Sequence, residues 1–295
     1  MRGLAEAFGA LSPNLRGAVF VLVGTVFFVA NDVVVKFTGD RIHPAQMALF
    51  RYSVGFVLLM PLFVRTGRAQ LKTERIGLHV VRAVIATTGQ ALVYYAVIHL
   101  LLADATAMNF TRPLFLTVLA IFILKETVGL RRWGATLVGF AGVIVMVRPL
   151  GGGFDADWLV ALAAAFLFAL ALILIRVLSR TDPPATILFW YHIMGVVIFS
   201  VPAALVWVPP TPGEWLQLCL IAVFTATGMF FFVRGFAIGD SSVMGTMEYV
   251  RLVYAALAGY FIFAEVPDIW TWVGAGIIVA ATLYIARHEA RRSAK

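Results

Sequence analysis

The feature that most limits what this chain can become is a succession of apolar runs, each about as long as a lipid bilayer is thick. Ten can be counted, at 16–37, 43–64, 76–98, 103–124, 131–148, 157–176, 185–207, 214–236, 241–263 and 269–286, joined by short connections. A helix of roughly 20 apolar residues crosses the hydrocarbon. The runs are too long for the alternating strands, about ten residues each, of a membrane barrel. Composition agrees, because only 13% of the 295 residues are charged, where a soluble domain has about a quarter. The expected fold is an all-α polytopic membrane protein with ten transmembrane helices. No small-residue cleavage site follows a short apolar core, so the first run is expected to stay as an uncleaved helix.

The ten runs fall into two sets of five. Met108-Asn109-Phe110-Thr111-Arg112 is echoed 139 residues later by Met247-Glu248-Tyr249-Val250-Arg251. From each arginine it is 14 positions to a glutamate, Glu126 and Glu265, and 7 more to a tryptophan, Trp133 and Trp272. Phe28 and Lys36 recur as Phe168 and Arg176, Leu49-Phe50-Arg51-Tyr52 recurs as Leu188-Phe189-Trp190-Tyr191, and Thr88-Gly89 recurs as Thr227-Gly228. A run of matches at nearly constant offset means duplication. Five is odd, so the second copy enters the membrane from the opposite side. The result is an inverted repeat, the architecture of many secondary transporters, whose substrate site lies near the midplane between the copies. The expected organisation is a tail at 1–15, a first five-helix repeat at 16–148, a linker at 149–156 around Gly151-Gly152-Gly153, a second repeat at 157–286 and a basic tail at 287–295.

Loop charge sets the orientation. With the N-terminus inside, sixteen Lys and Arg fall on inner segments, against Arg41 and Arg148 outside. Both termini are therefore expected in the cytoplasm. The same asymmetry accounts for the net charge of +8, so no nucleic-acid partner is needed. The partners expected are the lipid bilayer and a small-molecule substrate; the oligomeric state stays open.

Charges inside the apolar runs are costly and mark candidate sites. Arg112 and Arg251 sit near the middles of the fourth and ninth runs. Each either holds an anionic group of a substrate, such as a carboxylate, or is a structural pin. Asn109 lies one turn before Arg112 and Glu248 one turn before Arg251, and residues three apart on a helix can pair. A Glu248–Arg251 pair is the favoured reading, with Glu248 as receptor for a substrate ammonium group or a proton as the alternative. Asp32 and Lys36, four apart, read as a second pair. Asn31 is a polar lining candidate, as are Gln90 and Tyr94 on one face of the third run. Arg51 and Arg82 read as snorkelling or structural. Tyr191 and His192 have no evident partner. Glu126 and Glu265 read as loop anchors. Glycines along the fifth and tenth runs, Gly142 and Gly274 among them, favour close helix packing.

No glycine-rich phosphate loop is present, so no ATP-driven pump is encoded. No set of Cys, His and carboxylate residues has metal-ligand spacing, and Cys219 is alone, which excludes an internal disulfide. No cofactor and no enzymatic activity are expected. Ten runs, the inverted five-plus-five repeat, the glutamates closing the fourth and ninth runs and the glycine-rich fifth and tenth together resemble the drug/metabolite transporter superfamily. Within it the chain looks like an EamA-type bacterial exporter, close to the YddG-type amino acid exporters. That resemblance implies an inner-membrane secondary transporter that exports amino acids, aromatic or hydrophobic ones included, or related metabolites by alternating access. It also implies a cavity within reach of Arg112, Asn109, Glu248, Arg251, Gln90, Tyr94 and Asn31. Phosphate-ester, nucleotide-sugar and multidrug carriers of the superfamily are the alternative, and a structural membrane scaffold is a less supported one. One central arginine per half favours a zwitterion or monoanion over a multiply charged ester.

Overall fold

The computed structural model describes residues 12–67, 71–125, 129–148, 155–239 and 241–293, and among these every regular element is a helix. In chain order they are α1 (Pro13–Gly39), α2 (Pro44–Thr66), α3 (Ile76–His99), α4 (Leu102–Asn109), α5 (Arg112–Leu124), α6 (Leu130–Val147), α7 (Ala156–Leu178), α8 (Pro184–Leu205), α9 (Pro212–Ile238), α10 (Ser241–Glu248), α11 (Val250–Phe263) and α12 (Ile269–Ser293). Seven stretches are long and apolar enough to cross a membrane, with α4 and α5 acting as one, and three shorter apolar helices lie in α6, α11 and α12. Residues 1–11, Glu126 and the glycines at 151–153 lie outside the described residues, and with them the expectations placed there.

Prolines open α1, α2, α8 and α9, where a missing amide hydrogen costs nothing. Thr211 and Glu214 add a reciprocal capping box to α9, which satisfies two further amides. The outward faces carry bare apolar side chains: Val57, Phe122, Leu205 and Phe261 are each at least 65% exposed. Polar groups such as Asn31, Asp32, Gln90 and Asp104 are buried instead. That inversion suits lipid, where an outward-facing polar group would lose its hydrogen bonds.

Packing between the halves is reciprocal. The first helix of each half lies along the third helix of the other, α1 on α9 and α7 on α3. Like pairs with like elsewhere, α2 on α8 and α6 on α12. Two pairs of residues that match across the repeat touch each other directly. The Tyr52 hydroxyl donates to that of Tyr191 at 2.8 Å, and the Phe110 and Tyr249 rings stand 4.8 Å apart. A residue can meet its own repeat only where an internal two-fold axis passes, so these pairs mark the axis.

The α1–α9 seam is a backbone contact. A Cβ on Gly24 would stand 2.9 Å from the Gly228 carbonyl, and one on Gly235 would stand 2.8 Å from the Gly17 carbonyl. Small residues let membrane helices approach in this way. The expected close packing of the fifth and tenth runs occurs within the chain, where a Cβ on Gly274 would meet the Gly142 carbonyl at 2.7 Å.

Both helices that carry the repeated motif are broken inside it. The amides of Phe110 and Thr111 bond three residues back, to Ala107 and Met108, at 3.0 Å each. Pro113 explains the first break, since it offers no amide hydrogen to the Asn109 carbonyl. It does not explain the second, between α10 and α11 at Tyr249, because the matching position is Leu252. What the two breaks share is the Phe110–Tyr249 ring contact on the axis.

Candidate functional site

The broken helices bring the motif residues of both halves to the interface between them. Arg112 is the first residue of α5, and its Nη2 donates to the Asn109 side chain one turn back. Its guanidinium lies over the ring of Phe168 on α7, 4.5 Å from the centroid. Arg251 repeats that pose on the other side, over Phe28 of α1 at 5.5 Å. The two contacts are reciprocal, since Phe28 and Phe168 match across the repeat. A cation on an aromatic face gains about 0.5–2 kcal/mol, more when desolvated, so each ring partly replaces lost water.

The partners then diverge. Arg251 Nη2 reaches Asp32 Oδ2 of α1 at 2.7 Å. Asp32 also accepts from the Asn31 amide at 3.2 Å, and Asn31 accepts from Thr225 of α9 at 3.1 Å. Arg251 is thus neutralised inside a four-residue network. Arg112 forms no ion pair among the described residues, and Glu248 forms neither an ion pair nor a hydrogen bond among them. Arg112 lies within electrostatic reach of Arg251, Glu248 and Asp32, and Glu248 lies within reach of Arg251 as well.

Several expectations are corrected here. The Glu248–Arg251 pair does not form, because Asp32 on a neighbouring helix offers Arg251 a better-placed carboxylate. The Asp32–Lys36 pair does not form either. Lys36 instead bonds Glu265 and the Leu100 carbonyl, and Glu265 accepts from the Leu102 amide at 2.8 Å. Glu265 therefore anchors the start of α4, as expected of it. Arg51 and Arg82, read as snorkelling or structural, turn inward rather than snorkel, which fits the structural alternative. Arg82 is 5% exposed, and Arg51 lies over the Tyr52 ring at 5.7 Å. Tyr191 does have a partner, its repeat mate Tyr52, and His192 Nδ1 meets the Leu188 carbonyl at 2.9 Å.

Gln90 and Tyr94 both point inward from α3, at 6% and 1% exposure. Tyr94 lies within electrostatic reach of Asp32 and Arg51, which links it to the central charges. Gln90 makes no hydrogen bond among the described residues. Sequence reasoning missed Asp32 as a partner and the two phenylalanines as platforms. The recurrence of Phe28 and Phe168 was the available signal for the platforms; nothing local signalled Asp32, 219 residues from Arg251. A separate groove of about 420 Å³ between α1, α9 and α11, lined by Val26, Val33, Phe224, Tyr254 and Leu257 among others, contains no charged side chain.

Ion pairs flank the centre at both ends. At the end shared by the loops after α1, α8 and α11, Lys36–Glu265 is joined by Arg41–Glu214 and Arg148–Asp268. At the other end His79 of α3 meets Asp182, in the turn before α8, at 2.6 Å, and Thr73 donates to the same carboxylate at 2.7 Å. Burial pushes the Asp182 carboxyl up, but its bonds with His79 and Thr73 outweigh this and hold it below the usual carboxylate range.

A duplicated bundle of apolar helices, with broken helices and charges at the interface of its halves, is the architecture of many membrane transporters. Comparison with known proteins agrees. The chain belongs to the EamA-like transporter family, which matches residues 15–148 and again 158–287. The S-adenosylmethionine uptake transporter of Rickettsia prowazekii is 34% identical over 284 residues, 95% of each chain. The riboflavin transporter of Vibrio cholerae is 29% identical over 95% of each chain. The pseudopaline exporter CntI of Pseudomonas aeruginosa is 26% identical over 92% of this chain and 96% of its own. One crystal structure, 15% identical, superposes with a TM-score of 0.63 over 93% of this chain and 98% of its own, which shows a shared fold. The protein is a multi-pass membrane transporter of the EamA group in the drug/metabolite superfamily.

Proposed function

We propose that this transporter moves a small metabolite with an amino-acid head group across the bacterial inner membrane by alternating access. The observation that carries the reading is the divergence at the centre. Among the described residues, Arg112 is a half-buried guanidinium without an acid partner, and Glu248 is a carboxylate without a hydrogen bond, within reach of it across the repeat interface. A carboxylate on Arg112 and an ammonium group near Glu248 would complement both. Arginine suits the first task, since its planar fork matches a carboxylate. We assign Asn109, Asn31, Gln90, Tyr94 and the Arg251–Asp32 pair to the same region; Asn109 bonds Arg112, Asn31 bonds Asp32, and Gln90 lies one turn from Tyr94. S-adenosylmethionine carries such a head group and is the first candidate, given what the relatives are named for; free amino acids come next.

The scaffold belongs to the same proposal: ten spans in two inverted repeats, 16–148 and 157–286, joined by a linker at 149–156, with both termini cytoplasmic. The loop asymmetry of Lys and Arg supports that orientation. Reporter fusions at 151–153 should read periplasmic, and a cytoplasmic signal there rules out the inverted repeat. The transport test uses purified protein in liposomes with labelled S-adenosylmethionine, methionine, phenylalanine and riboflavin. Saturable flux of an amino-acid-headed compound, competed by another of its kind, is expected. Movement of riboflavin and of none of the others sinks the reading.

A further inference from the structure

Arg51 has no role in the site described so far. The matching position in the second half is Trp190, whose ring nitrogen donates to the Leu71 carbonyl at 3.1 Å, so the arginine is a feature of one half alone. It stands beside the axis pair Tyr52–Tyr191, hydrogen-bonded to the Tyr191 hydroxyl and within electrostatic reach of the hydroxyls of Tyr52 and Tyr94 and of Arg112. It forms no ion pair among the described residues. Its Nη1 is enclosed and has no hydrogen-bond partner, and the same holds for the Tyr94 hydroxyl. Arg82 adds a second cation on the other side, 4.9 Å from the Tyr191 ring, with its own Nε enclosed and unpartnered. The acid nearest this cluster by electrostatic reach is Asp32, and Arg251 already engages it. Buried polar groups are almost always hydrogen-bonded. Orphaned donors gathered around two cations therefore lack a common acceptor.

We infer that Arg51, Tyr94 and Tyr191 form a second anion subsite on the internal two-fold axis, beside Arg112, that takes a carboxylate or a similar oxyanion. The occupant is either a second acidic group of the transported molecule or a free anion bound alongside it. Arg51 and Tyr94 donate to it, and the Tyr52–Tyr191 pair backs the guanidinium with a polarisable wall. The inference deepens the proposed function only where the two arginines bridge one molecule; the subsite itself does not require that reading.

The test follows the thermal stability of the purified full chain in detergent during titration with acetate, inorganic phosphate, succinate, glutarate and methionine. For a bridging substrate group, succinate or glutarate should stabilise the wild type with an apparent Kd about tenfold or more below that of acetate, the worth of one charge-assisted bond. Arg51→Gln and Tyr94→Phe should each abolish that gain, while Arg180→Gln, a control for general charge, should keep it. Tyr94→Phe is decisive, because removing a hydroxyl that has no protein partner would leave anion binding unmoved if its role were packing. Arg51→Lys covers the case in which Arg51→Gln fails to fold, and should respond between the two. If acetate or phosphate alone stabilises as well as the dicarboxylates, through Arg51 and without Arg112, the occupant is a free anion. If no anion stabilises the wild type, or Tyr94→Phe and Arg51→Lys respond as the wild type does, the subsite is overturned. The methionine arm separates the two proposals. Its stabilisation should vanish in Arg112→Gln and survive in Arg51→Gln; an Arg51-dependent dicarboxylate response without any methionine response would leave the subsite standing and remove the amino-acid reading.

Discussion

Arg112 and Arg251 hold the same position in two copies of one motif, stack on matching phenylalanines, and still end with different chemistry. Arg251 meets Asp32 at 2.7 Å and is pinned, through Asn31 and Thr225, to α1 and α9. Among the described residues, the hydrogen-bond partner of Arg112 is a neutral amide, Asn109. The difference is not in the local backbone, since both helices break at the aromatic residue before the arginine. It lies in what the opposite half presents. Asp32 falls between Phe28 and Lys36, which recur as Phe168 and Arg176, so its counterpart is Leu172 and α7 has no acid at the matching place to offer Arg112. Duplication thus supplied two equal cations, and divergence elsewhere neutralised one of them. The motif glutamate, Glu248, was left over as a lone acid beside the lone base.

The largest expected effect is on the pinned side. Arg251→Ala leaves Asp32 buried and uncompensated, which typically costs about 3–5 kcal/mol. Purified yield and melting temperature should fall sharply, and Asp32→Asn in the same chain should recover most of the loss. Recovery by Glu248→Ala instead would place the pairing on the wrong acid. Next comes Arg112→Gln. It breaks no ion pair, so folding should hold, while affinity for a carboxylate-bearing substrate drops by about 1.5–3 kcal/mol, tenfold or more. Unchanged affinity in a folded variant would show that Arg112 does not touch the substrate.

A third variant makes the free side resemble the pinned one. Asn109→Asp places a carboxylate where the Arg112 guanidinium already donates. Stability should hold or rise, and substrate binding, followed by competition in liposomes, should weaken about tenfold, as a charge-assisted bond is diverted from the substrate. Binding that is as tight as the wild type would mean that Arg112 needs no free charge. The smallest effect belongs to the platforms. Phe168→Leu and Phe28→Leu each remove a cation–π contact of about 0.5–2 kcal/mol. The Phe168 change should weaken substrate affinity, because it loosens Arg112, whereas the Phe28 change should appear in melting temperature. Equal behaviour of the two would erase the functional distinction between the halves.

Much of this was legible in the sequence, and the reasons are physical. A run of about 20 apolar residues admits few structures in lipid, so the helices, the prolines at their starts and the membrane class followed from composition and length. A duplicated motif at constant offset fixed which residues would be equivalent, but not which equivalent pairs would meet on the two-fold axis. The packing decided that Tyr52–Tyr191 and Phe110–Tyr249 are the pairs that touch there. Spacing within one helix, however, carried the pairing of charges only as far as one turn. It offered Glu248 to Arg251 and Lys36 to Asp32, and the folded chain rejected both. Asp32 finds its partner on another helix and Lys36 finds its own in the loops after α3 and α11, and Arg51 lies near tyrosines from α2, α3 and α8. A buried charge in a low-dielectric interior pairs with whichever opposite charge lies closest in space, and helix packing sets that distance. Sequence alone therefore determined the helices, their duplication and the two central arginines. The tertiary structure decided which arginine is neutralised and which is left to meet a substrate.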